Sequence, residues 1–283
     1  MRPRPSSWCE PFDRKDEKAF INGPIQKVVK IAISQPGYLP WTGFFDLIDQ
    51  VDQFVLLDDA QFVKQSWHQR NRIKSPTGLQ WLTVPVVFRG RLGQPLCDVE
   101  IREPRFWQKH LRSIQANYGR ARYFRNYFPR LTEILEQHGP GKKLIDLNLA
   151  LVQWLASELS IKTPMVQSST LHLEGNRSGH LVATCERFGA TDYISPRSST
   201  YLLDDLSMFA QEGIAVYFQN YSCREYEQRF PPFLPYTSVV DLLFNEGPQS
   251  GDIMRNGRGV PFTPDQVRVL VENMEFKQEV RRI

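Results

Sequence analysis

Residues 28–34, VVKIAIS, form an apolar, β-branched run that Gln35, Pro36, Gly37 and Pro40 bring to an end. A run of this length and composition predicts a buried parallel strand. From Trp41 onward, Phe44, Phe45, Leu47, Ile48 and Val51 fall on one face of a helix over 41–51. QFVLLD (53–58) predicts a second strand, ending in the adjacent carboxylates Asp58 and Asp59, and LQWLTVPV (79–86) predicts a third. The right-handed crossover rule makes the first two strands parallel neighbours, with the helix crossing between them.

The middle of the chain changes period. Pro104 precedes Trp107, Leu111, Ile114 and Tyr118, an i, i+4, i+7, i+11 stripe that leaves Arg105, Lys109 and Arg112 facing out. A second helix is expected from Pro129 to His138, stopped by Gly139-Pro140, and a third over 143–159. Strand and helix then alternate: a strand at 165–168, a helix at 177–188, a strand at 193–195, a helix at 203–211 and a strand at 214–219. Ser238-x-x-Asp241 reads as a capping box for a short helix that Gly247 closes, and Thr263-Pro264-Asp265-Gln266 should start a final one. The pattern predicts an α/β chain with a doubly wound, mostly parallel sheet. It divides into an N-terminal extension (1–27), an α/β domain (28–250) with a helical insertion (104–160), and a helical tail (251–283).

Composition narrows the class. With 283 residues, 41% hydrophobic and 23% charged, the chain can bury one large core. No apolar run approaches the roughly 20 residues of a membrane span. The polar N-terminus, MRPRPSSWCEPFDRKDEK, lacks the apolar centre of a secretory signal. Cys9, Cys97, Cys185 and Cys223 are far apart without a CxxC pair, so reduced thiols in a cytoplasmic protein are expected. The five histidines show no metal-ligand spacing, and no nucleophile elbow or triad is legible. The net charge of +4 hides a basic block: residues 62–130 carry 14 Lys/Arg against 3 Asp/Glu. Such a block faces an anionic partner or pairs with the acidic remainder of the chain.

Three groups can carry chemistry. Gln35, Tyr38 and Trp41 lie in the loop after the first strand, where backbone N–H groups at a helix start can hold a phosphate or carboxylate. Asp58 and Asp59, with Gln61, can hold a magnesium ion, orient a ribose or act as a general base. Neighbours on a strand point to opposite faces, so only one carboxylate should line a given cleft. Asp59, at the loop, is the expected base. The basic run Lys64 to Lys74, with Trp67, Arg70, Asn71 and Arg72, offers forked donors and an aromatic plane for a phosphate-bearing ligand. It also has the chemistry of a nucleic-acid contact. Gln35, Tyr38, Asp58, Asp59, Arg70 and Asn71 are expected to converge on one cleft at the carboxyl ends of the strands. Gln228 and Asn245, flanking the helix after Ser238, are further cleft candidates.

Together the stretches QPGYLPWTGFFDLI (35–48), FVLLDDAQF (54–62), 67–86, Tyr193-Ile194-Ser195-Pro196 and FLPYTSVVDLLFNEG (233–247) resemble the WbqC-like family of bacterial proteins. Gln69 stands where that family's pattern leads one to expect Asn. Members occur in gene clusters for O-antigen and other surface glycans, and for one a glycine-transferase activity has been suggested. The resemblance implies transfer of an aminoacyl (glycyl) or acyl group to an amino sugar or related amine, with an acyl donor and a phosphate-bearing sugar as partners. It adds Ser195 to the binding candidates. The strand–loop–helix order is also similar to nucleotidylyltransferases and the amide ligase pantothenate synthetase, which would bring in ATP or Mg²⁺. Trp41-Thr42-Gly43-Phe44 stands where those enzymes carry a HxGH motif, so the histidines are missing. A non-catalytic RNA- or glycan-binding module is the remaining alternative.

Overall fold

The computed structural model describes residues 28–138, 142–175 and 177–273. The extension expected over 1–27 and the Gly139-Pro140 helix stop lie outside them.

Five parallel strands form the central sheet: β1 (Lys30–Ser34), β2 (Gln53–Leu56), β5 (Met165–Gln167), β6 (Asp192–Ser195) and β7 (Ala215–Phe218), in the order β5-β2-β1-β6-β7. β1 and β2 pair in parallel from Ile31↔Gln53 to Ser34↔Leu56, with α1 (Thr42–Asp49) crossing between them as the apolar spacing requires. Alternate residues of the two strands enter different cores. Ala32, Phe54 and Leu56 join the larger one, with Phe45 of α1; Ile31, Ile33 and Val55 join the smaller. Both faces are therefore covered, which is why these strands read as unbroken apolar runs. The chain is an α/β protein.

The strand expected at 79–86 does not join this sheet. β3 (Arg70–Ser75) and β4 (Gly78–Thr83) form a separate antiparallel hairpin. Only Pro76 and Thr77 separate them, a connection too short for a parallel crossover. Period 2 then sets the faces: Asn71, Ile73 and Leu82 are buried, while Arg70, Arg72 and Trp81 share the outer side. Residues 70–74, expected as a basic loop, are thus a strand.

The helices after β4 make the insertion: α2 (Phe106–Tyr118), α3 (Phe124–His138) and α4 (Leu144–Glu158). α3 starts a turn before Pro129, held by the Phe124 ring against Phe128 and Phe244 at 4.4 and 5.3 Å. On the smaller core lie α5 (Arg177–Arg187), α6 (Leu206–Gln211) and α9 (Pro264–Glu272). α7 (Val239–Glu246) is capped by Ser238, but Asp241 does not complete a capping box. Its buried carboxylate accepts from Tyr118 (2.7 Å), Tyr226 (2.5 Å) and Gln228 (2.8 Å), stronger partners than one backbone N–H. Thr263 and Gln266 do form the expected box on α9. After α8 (Ser250–Arg255), Arg255 and Arg258 bind Asp49 and Asp46 of α1 at 2.6–3.0 Å. No helix among the described residues is long and apolar enough to cross a membrane.

Candidate functional site

From β1 the chain steps outward to β2 and β5, then returns to the other side of β1 as β6 and β7. The loops after β1 and β6 therefore leave the sheet in opposite directions. The crevice they open, outside the carboxyl ends of the strands, is where open α/β sheets bind ligands. A pocket of about 520 Å³ fills it, lined by Ser34 at the end of β1 and Gln35 after it, Pro196 to Ser199 after β6, and Gln219 after β7. That volume suits a small molecule.

Two glycines shape its wall. A Cβ on Gly37 would sit 3.0 Å from the Trp67 carbonyl, the acceptor of the Tyr38 N–H. A Cβ on Gly43, in the first turn of α1, would sit 2.2–2.6 Å from the Trp41 indole. Trp41 consequently lies flat over the helix start, packed by Tyr221 and Tyr236 at 5.5 and 5.4 Å. Gln219 fixes the floor by donating to Gly43 O (2.7 Å) and Asp46 Oδ2 (2.8 Å).

The electrostatics are one-sided. Among the described residues no Asp or Glu lines the pocket, and the charged side chains that do are Arg72 and Arg197. Arg72 donates through Nη2 to Tyr236 O (3.2 Å) and lies 5.2 Å from the Trp67 ring, and its buried Nε has no partner among the described residues. Burial lowers its pKa from the ordinary arginine value. Asn71 is locked beside it, donating to Leu39 O and accepting from the Arg72 N–H, both at 2.8 Å. His68 meets Gln35 Oε1 through Nε2 at 2.7 Å, while its Nδ1 faces the Val63 N–H. Burial pulls the His68 pKa down to about 4, so the ring is neutral and donates from Nε2. With Oε1 taken, Gln35 has its amide NH₂ for a ligand.

A model of the WbqC-like protein family matches residues 35–253, from the first pocket residue after β1 to α8. This chain belongs to the WbqC-like family. It is 37% identical over 229 residues, 80% of this chain and 97% of the relative, to the uncharacterized protein Rv1507c of Mycobacterium tuberculosis (strain ATCC 25618 / H37Rv). No solved structure matches.

Of the residues singled out in the sequence, this WbqC-like fold gathers Gln35, Trp41, Trp67, Asn71 and Arg72 in the pocket. The others lie elsewhere. Tyr38 is fully buried, with its hydroxyl 2.9 Å from His110 Nδ1; His110 Nε2 in turn meets Thr83 O. Burial holds the phenol proton well above its ordinary range, which suits a structural donor rather than a base. Asp58 is buried and accepts from Gln167, the Ser169 N–H and the Ser169 hydroxyl at 2.7–2.9 Å. Those donors hold both of its oxygens. Asp59 accepts from Ser168 at 2.6 Å and faces His180 at 3.5 Å. The two carboxylates share Ser168 because β2 ends at Leu56, before strand alternation could separate them.

Arg70 stacks 4.2 Å over Trp81 on the hairpin's outer face. Gln61 bridges to Pro95 at the surface. Ser195 is buried at the end of β6, and Gln228 and Asn245 bond to the Asp241 carboxylate and carbonyl. His68, part of the basic run singled out in the sequence, also lines the pocket, whereas sequence reasoning missed Arg197 to Ser199, Tyr201, Gln219, Tyr221 and Tyr236. The signal for the 197–199 group was present, because a polar loop follows a predicted strand there.

Proposed function

We propose that this protein is a transferase that adds an aminoacyl (glycyl) or acyl group to the amine of a phosphate-bearing amino sugar or related amine held in the β1/β6 pocket. The product would enter a surface glycan or a natural product. One observation carries the reading: the switch-point pocket bears arginine, aromatic planes and amide donors, and, among the described residues, no carboxylate. Arg72 matches a phosphate by charge-assisted hydrogen bonding, and the Gln35 NH₂ can orient a sugar oxygen. In the reaction the ammonium releases one proton to solvent, the neutral amine nitrogen attacks the acyl carbon, and a C–N bond forms. The donor's leaving group departs with its bonding electrons, and the nitrogen's second proton passes to that leaving group or to water as the amide forms. A nearby guanidinium disfavours the ammonium form, so the cationic pocket itself favours the neutral nucleophile. On this reading activation comes from the pocket's field, and Asp59, set against Ser168 and His180, takes no direct part in it.

Titration calorimetry with glucosamine 1-phosphate, followed by transfer assays with glycyl donors, tests this. Arg72→Ala should weaken binding about tenfold or more. Asp59→Asn should keep both affinity and kcat within about twofold, since the loss of an essential base would lower kcat instead. Wild-type affinity in Arg72→Ala would remove the pocket from the proposal.

A further inference from the structure

The arginine–tryptophan arrangement does not stop at the pocket. Arg72 and Trp67 line it, and beyond them the Trp67 and Trp81 rings lie 5.4 Å apart at 34°. Arg72 is 5.5 Å from the Trp81 ring, and Arg70 covers that ring at 4.2 Å. Both indoles keep surface in solvent, 36% for Trp67 and 43% for Trp81. The hairpin register explains the assembly, since Arg72 and Trp81 are cross-strand partners on the outer face. Large exposed indoles are uncommon on a surface with no partner, and here they adjoin the arginine that lines the pocket.

We propose that Trp67 and Trp81 form a stacking subsite for the heterocycle of a nucleoside diphosphate, which takes the place of the Arg70 guanidinium on the Trp81 ring while its phosphates reach Arg72 in the pocket. The inference rests on the pocket reading above and narrows its substrate to a nucleotide-linked sugar. Base stacking on an indole is sequence-tolerant and strong, and the neighbouring guanidiniums add charge toward the phosphates. The geometry favours one nucleotide over an RNA strand. A strand needs successive aromatic platforms, whereas Leu79 and the Pro76-Thr77 turn follow Trp81 along the hairpin.

The test is calorimetry, with tryptophan fluorescence, on the full chain. The probes are UDP, dTDP, inorganic pyrophosphate, glucosamine 1-phosphate and a single-stranded RNA oligonucleotide. UDP or dTDP should bind at least tenfold tighter than pyrophosphate and quench the fluorescence. Trp81→Ala should remove about tenfold of nucleotide affinity and leave pyrophosphate unchanged; Trp81→Phe should restore most of it, and Leu79→Ala should change neither. Equal affinity for UDP and pyrophosphate, or equal losses for both in Trp81→Ala, would overturn the subsite. RNA binding alone, with a steep salt dependence, would also overturn it in favour of a nucleic-acid surface. If glucosamine 1-phosphate binds and nucleotides do not, the subsite falls and the transferase reading stands. If nucleotides bind and the amino sugar does not, the subsite stands and that reading loses its acceptor.

Discussion

Arg72 and Tyr38 show how differently two polar residues of one region are used. Arg72 keeps a buried Nε that has no partner among the described residues, a local cost. Arg72→Leu should therefore leave stability within about 1 kcal/mol of wild type, or raise it, while anion binding is lost. Tyr38 is the reverse case. Tyr38→Phe leaves His110 Nδ1 buried without its partner and should cost about 1–2 kcal/mol, with ligand affinity retained. Urea denaturation of both variants checks the pair. The two buried imidazoles also set the acid limit. In His68 and His110 burial holds the pKa at about 4, against 6.5 in the unfolded chain. The unfolded state takes up the proton first, so their stabilisation is complete above pH 6.5 and is lost as pH falls toward 4. Each contributes on the order of 3 kcal/mol. The urea midpoint should fall clearly between pH 7 and pH 5; an unchanged midpoint would contradict neutral, buried rings.

Among the elements, α1 gives up local stability to build the pocket. Gly43 in its first turn is a poor helix former, and alanine would gain about 1 kcal/mol from propensity alone. The Cβ would strike the Trp41 ring, so Gly43→Ala should instead destabilise the protein and weaken ligand binding. Replacing Trp41 by alanine in the same chain removes the clash. The double variant should regain stability relative to Gly43→Ala without regaining affinity, a coupling that a double-mutant cycle measures. The β3/β4 hairpin is an element of another kind. Its inner face packs Ile73 and Leu82, and its outer face presents the arginines and Trp81.

At the scale of the whole molecule, the segment after α8 closes the structure. Arg255 and Arg258 pair with Asp49 and Asp46 on α1, and Phe262 bridges to Phe218 of β7. Asp46 is fully buried, and burial raises its pKa against the hydrogen bonds from Arg258 and Gln219. Arg258→Ala would strand that carboxylate at a cost of about 3 kcal/mol. Because Gln219 also bonds Asp46 and lines the pocket, the same variant should weaken ligand binding, which calorimetry at a permissive temperature would show.

The alternation of apolar runs and Pro/Gly breaks by itself determined the five strands, their crossover helices and the region at the end of the first strand where Gln35 and Trp41 lie. Those signals are local, because a strand buried on both faces must be apolar along its whole length. The same local logic found the Thr263 cap. Which polar residues would meet was decided only by the tertiary structure. Asp58 and Tyr38 carry the residue types of a site, yet each found a buried partner first, in Ser168 and His110. Arg197, Gln219 and Tyr236 reach the pocket from strand ends and a loop far along the chain, brought there by a sheet order that places β6 beside β1. Side-chain partnership depends on distances across the sheet, and a linear pattern with period 2 or 3.6 fixes only the face each residue presents.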